Sequence, residues 1–179
     1  MTKPQSVLFF AVYPLIAAWV SFALDVNALF STIVFYGIPA IYLSFLKPGF
    51  IKKALYFSLL SIPAIVIVDY IAEITGTWLW PIPDSIFPKL FGYVSVEVII
   101  WAYLHFYIAV MFYEYFFDKR KRSKIVYARS KELLAFSLLF FATFLLIMAF
   151  SKSSLLVPYW YAVFSFIFIV PPVILEEYN

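Results

Sequence analysis

LLAFSLLFFATFLLIMAF, from Leu133 to Phe150, is the stretch that decides the class of this protein. No charge interrupts it, and a helix built from it is apolar on all sides. A bilayer-crossing helix needs about 20 mostly apolar residues. A second uncharged stretch, Leu155–Leu175, follows almost at once. Working back toward the N-terminus gives four more: Val7–Leu24, Ala28–Leu46, Ala54–Ile74 and Val94–Phe117. The reading is all-α: a polytopic integral membrane helical bundle of about six transmembrane helices, one transmembrane domain over residues 1–179. A β-barrel would alternate polar and apolar residues over segments of about ten, and these runs do not. Pro14, Pro39 and Pro63 fall inside spans, where each frees a carbonyl and can kink its helix, with neighbouring helices satisfying what is freed. The first stretch is too long for a signal-peptide h-region and meets no small-residue cleavage site before Asp25, so it reads as a retained helix.

Composition agrees. The chain is 65% hydrophobic and 13% charged, whereas a soluble domain is about 45–50% apolar and about 25% charged. A water-soluble core of this size cannot bury the excess, so lipid must cover it. With no cysteine and one histidine, disulfide and thiolate chemistry are excluded and a dedicated zinc site is not expected. Neither a G-x-G-x-x-G nor a P-loop is present, so no cofactor is expected.

Loop charges give the orientation. With six spans, one side receives Lys3, Lys47, Lys52, Lys53, Lys119, Arg120, Lys121, Arg122, Lys124, Arg129 and Lys131, and the other only Lys89 and Lys152. Eleven against two is a positive-inside bias that puts both termini in the cytoplasm of a cell (plasma or inner) membrane protein. The run Lys119–Lys124 could meet anionic lipid, but it reads first as a topology determinant among the headgroups, with no nucleic-acid partner expected. Opposite it, Trp78, Trp80, Tyr93, Tyr159, Trp160 and Tyr161 gather at span ends as an aromatic belt. The Pro81–Pro88 loop is short and proline-rich, and stiff for that reason.

Ionisable residues inside spans are costly and point to function. Asp69 and Glu73 are four apart on one face of the third span. Glu97 sits about one turn inside the fourth. The three are expected to face one polar pocket, where clustered carboxylates raise one another's pKa and one can act as a general acid. The alternative is that they satisfy helix-end backbone groups. His105 lies eight residues past Glu97, about 12 Å deeper, with Trp101 between them on the same stripe. It could relay a proton or hydrogen-bond a neighbouring helix. Glu114 and Asp118 read as interfacial partners of the basic loop, and Glu176 and Glu177 as solvated. Aromatic residues are 23% of the chain; most must pack or face lipid, although π faces also suit a polyene or a carbocation.

The segment from Val68 to Tyr113 reads VDYIAEITGTWLW, a proline-rich loop, then FGYVSVEVIIWAYLHFYIAVMFY. It resembles the lycopene cyclase domain of the heterodimeric and fungal fused carotenoid cyclases, with a cyclase-like segment over about 54–117. In that family a helix carries an aspartate and then G-x-W. After a loop, a G-x-P-x-E-E motif opens the next helix, with a tyrosine often further down. Asp69, Gly76 and Trp78 match the first part, Gly92 and Glu97 the second, and Tyr113 the later tyrosine. Ser95 stands where the family has proline and Val98 where it has the second glutamate.

The resemblance implies a membrane isomerase that closes ionone rings on lycopene by proton-initiated, redox-neutral cyclisation without a cofactor. It implies Glu97 as acid or base and Asp69 as its partner; Glu73 joins them from helix spacing. Trp78, Trp101, His105 and Tyr113 are the candidates to line an isoprenoid-binding site. The family pairs two three-helix units, so the expected partners are membrane lipid, an apolar isoprenoid, and a second copy or a second cyclase-like subunit. Other readings are a non-catalytic membrane subunit, scaffold or degenerate homologue, and a small transporter. For the transporter, the glycine-rich broken helices of inverted repeats find little support in four glycines.

Overall fold

The computed structural model describes residues 3–77, 85–117, 127–156 and 159, with the side chains of 127–130 not described. Every extended element among them is helical: α1 (Lys3–Ala23), α2 (Ala28–Thr32), α3 (Ile38–Leu46), α4 (Ile51–Thr75), α5 (Val96–Phe116) and α6 (Tyr127–Phe150). A π-helical turn, Ile33–Gly37, joins α2 to α3 into one rod. Short 3₁₀ turns, Pro48–Phe50 and Lys152–Leu155, precede α4 and follow α6. Five helical segments among the described residues are long and apolar enough to cross a membrane: Lys3–Ala23, Ala28–Leu46, Pro48–Thr75, Val96–Phe116 and Lys131–Phe150. They coincide, to a few residues, with the first five expected spans. The sixth, Leu155–Leu175, lies outside the described residues except at its start, as do Trp78, Trp80, Trp160, Tyr161, Asp118, Glu176, Glu177 and the run Lys119–Lys124.

The first helix begins earlier than its apolar stretch. Ser6 is buried, and its hydroxyl meets those of Tyr42 and Tyr115 at 2.9 Å each, tying α1 to α3 and α5. In the second span, Pro39 follows directly on the π turn rather than kinking a continuous helix. Proline has no N–H for the preceding turn, and the wider π turn changes the hydrogen-bond register just ahead of it. One carbonyl of that turn, Val34's, is taken by the Tyr13 hydroxyl. Pro14 and Pro63 lie inside unbroken helices.

α4 and α5 form the most extensive helix pair. They run antiparallel: Ser95, next to α5's first turn, meets Asp69 late in α4, and Glu114 near α5's end pairs with Lys53 early in α4. α6 packs on α4, and α3 on α5. Two apolar clusters hold these contacts. Leu43, Phe50, Ala54, Tyr107 and Met111 fill one end, and Val66, Ile67, Tyr70, Val94 and Phe144 the other.

The surface is inverted relative to a soluble bundle. Phe22 is 89% exposed, Phe45 82% and Trp19 70%, whereas Asp69, Glu97 and Glu114 are 1–2% exposed. Contiguous exposed apolar surface on this scale needs an apolar surrounding.

Candidate functional site

The site begins where α4 ends. Gly76, at φ 64°, closes α4 in the left-handed conformation, and the Thr77 N–H returns to the Ala72 carbonyl at 3.0 Å. A residue without Cβ adopts this geometry at little cost. Gly92, at φ 79°, does the same inside the turn that pairs Leu90 with Val94 in both directions, at 2.7 and 3.0 Å. This turn delivers Ser95, in extended conformation, as the residue before α5. The two motif glycines thus shape the entry and exit of the loop between α4 and α5.

Ser95 then joins two acids. Its backbone N–H donates to Asp69 Oδ2 at 3.3 Å, and its hydroxyl donates to Glu97 Oε2. All three residues are at most 2% exposed. Glu97 also gathers the incoming loop. The Ser85 hydroxyl donates to both its oxygens at 3.0 and 3.1 Å, and the N–H groups of Ile86 and Phe87 donate to Oε1 at 2.8 and 3.2 Å. Every one of these contacts uses the carboxyl as acceptor, which is how an ionised carboxylate bonds. Its place in the first turn of α5 adds the favourable end of the helix dipole.

Glu73 stands at a different place. It forms an ion pair with Lys89 at 3.5 Å and lines a pocket of about 390 Å³ with Ile74, Tyr93, Lys152, Ser153 and Leu156. The expected gathering of three carboxyls at one pocket is therefore divided: Asp69 and Glu97 meet through Ser95, and Glu73 faces the lysine-flanked pocket. Above that pocket the Lys152 ammonium sits 4.8 Å from the Tyr93 ring centre and 5.9 Å from that of Tyr70. The Tyr70 hydroxyl raises the Lys152 pKa above its ordinary value, with the charge distribution of both tyrosines adding to it.

The expected stripe of Glu97, Trp101 and His105 splays. Eight residues of helix rotate by about 80° beyond two full turns, so Glu97 points inward, Trp101 is half-buried and His105 is exposed. His105 and Trp101 form a ring cluster with Tyr36 of the π turn, at 5.7 and 6.1 Å from it. Tyr113 is 59% exposed and stacks on Phe117 at 5.9 Å. It lies about 24 Å along the helix from Glu97 and is not brought to the acid pair. Trp78 is outside the described residues.

No protein-family model, curated protein or solved structure matches the chain. The site stands on its own geometry. Sequence reasoning treated Ser95 only as a departure from proline and overlooked Ser85 altogether. The available signal was a serine two residues ahead of a carboxylate at a helix start, a pattern in which the hydroxyl can reach the acid. A proline at 95 has no N–H to give Asp69, so here the serine supplies the link between the acids.

Proposed function

We infer that the chain is a multi-pass membrane protein with cytoplasmic termini, and that it works as a carotenoid-cyclase-like isomerase acting on the end of an apolar isoprenoid. The observation that carries this reading is the buried Asp69–Ser95–Glu97 link: two acids from different helices, held together at a helix start. The resemblance over Val68–Tyr113 supports it from the sequence side.

The chemistry needs an acid and a base and no redox partner. A carboxylic acid O–H protonates a terminal double bond, leaving a tertiary cation. The π electrons of a nearby double bond attack it and close a six-membered ring. A carboxylate then removes a ring proton, so the hydrocarbon's formula is unchanged. Both oxygens of Glu97 accept hydrogen bonds in this arrangement, which fits the base, and Asp69 is then the acid. Apolar surroundings exclude water that would trap the cation, and aromatic faces steady it. A second copy or a second cyclase-like subunit supplies the other unit.

Expression in lycopene-accumulating bacteria tests this reading. Cyclic carotenoids should appear, and Asp69→Asn or Glu97→Gln should abolish them at unchanged membrane level. Ser85→Ala, which loosens the loop but keeps both acids, should retain most activity. Unchanged lycopene with well-folded protein, alone and with a paired cyclase-like subunit, sinks the enzyme.

A second reading is a non-catalytic subunit. The observation that favours it is that Glu97 already has a structural task, holding residues 85–87 against α5. It expects loss of a membrane complex, with pigment unaltered, when Glu97 is replaced.

A further inference from the structure

Only two basic residues fall on the lean side of the charge distribution, Lys89 and Lys152. They are 63 positions apart in sequence, yet Lys152 lines the pocket at the ends of α4 and α6, and Lys89 reaches Glu73 on its wall. Lys89 is spent on Glu73, and those two charges cancel. Lys152 has no carboxylate partner among the described residues. The faces of Tyr70 and Tyr93 hold its ammonium at the pocket without neutralising it. Among the described residues, Lys152 is therefore the charge on the pocket wall that no ion pair takes up, Glu73 being paired with Lys89. Ser153 adds a hydroxyl beside that charge, and Ile74 and Leu156 add apolar wall. At about 390 Å³ the pocket lies in the range of small-molecule sites. It opens where two candidate spans end, the level at which headgroups lie.

We propose that this pocket binds a phosphate-bearing group, with Lys152 and Ser153 donating to its oxygens and Ile74 and Leu156 against its carbon skeleton. A phospholipid headgroup and a soluble phosphate ester share this chemistry. The site is independent of the acid pair and of any cyclase activity, so the two readings fail separately.

The test is native mass spectrometry of the purified full-length chain in detergent, titrated with phosphatidylglycerol or phosphatidylcholine. Phosphatidylglycerol should be retained in preference. Lys152→Gln should lower its retention about fivefold, the worth of one near-surface lysine. Lys152→Arg should restore it, and Lys52→Gln, at the other end of α4, should leave it unchanged. Displacement of the lipid by millimolar inorganic phosphate identifies a soluble ester as the ligand, and resistance identifies the lipid; either supports the site. Equal retention by the parent chain and Lys152→Gln overturns it, as does equal retention of the two lipids. Lys152 is exposed, and an unchanged melting temperature establishes that its replacement acts on binding.

Discussion

At the residue scale, Ser95 carries the most information per atom. Its N–H and hydroxyl reach two carboxyls on different helices, and each bond to a charged acceptor contributes about 1.5–3 kcal/mol. Ser95→Ala removes only the hydroxyl and should lower stability by about that amount, read as a drop in melting temperature in detergent. Glu97→Gln asks a different question. An amide can keep its oxygen on the Ile86 and Phe87 N–H groups and turn its NH₂ to the Ser85 and Ser95 hydroxyls, which can accept, so what is lost is the extra strength of bonds to a charged acceptor. Limited proteolysis should then cut near Ser85–Phe87 faster than in the parent chain; an unchanged cleavage rate would mean that Glu97 does not hold that segment. Lys152 differs in kind, because its charge is exposed and its pKa is raised by Tyr70. An ammonium so held stays protonated from about pH 6 to pH 9. Anion retention at its pocket should therefore be flat over that window and fall only above it, as the ammonium loses its proton.

At the scale of elements, the α4–α5 pair is fastened at both ends by polar groups. The end opposite Ser95 carries the Lys53–Glu114 pair, in which Glu114 is 1% exposed and its second oxygen has no partner among the described residues. Such a pair is costly to break and cheap to replace. Lys53→Met alone should destabilise by about 3–5 kcal/mol, because it strands a buried carboxylate, and adding Glu114→Leu should recover most of the loss. A double variant as weak as the single one would show that the pair gives more than charge compensation. The helices themselves were legible in the sequence, since long uncharged runs have few alternatives once water is excluded. The acids were legible for the same reason, their cost. What joins them was not. The donors to Glu97 come from residues 85–87, ten to twelve positions earlier, and periodicity says nothing about how a loop folds back on a helix. The π turn at Ile33–Gly37 was equally hidden, because Pro39 announces a disturbed helix without saying which disturbance.

At the scale of the whole molecule, antiparallel pairing and orientation can be tested together. α4 and α6 finish at the same end of the bundle: Glu73 and Ile74 from one and Lys152 from just beyond the other line one pocket. Lys52 lies at the opposite end, in the first turn of α4. Two independent arguments thus converge, the contact geometry and the eleven-to-two division of lysines and arginines. The geometry alone says which residues share a side; the proposed orientation, drawn from the charge division, is what says which side faces the cytoplasm. The chain contains no cysteine, so a single introduced thiol reports without background. Thr77→Cys and Ser153→Cys, both exposed, should react with a membrane-impermeant maleimide on intact cells, and Lys52→Cys only after permeabilisation. Full reversal of that pattern would keep the bundle and invert its orientation. Labelling of Thr77→Cys and Ser153→Cys from opposite sides would instead break the bundle itself, since no arrangement with the ends of α4 and α6 at one pocket allows it.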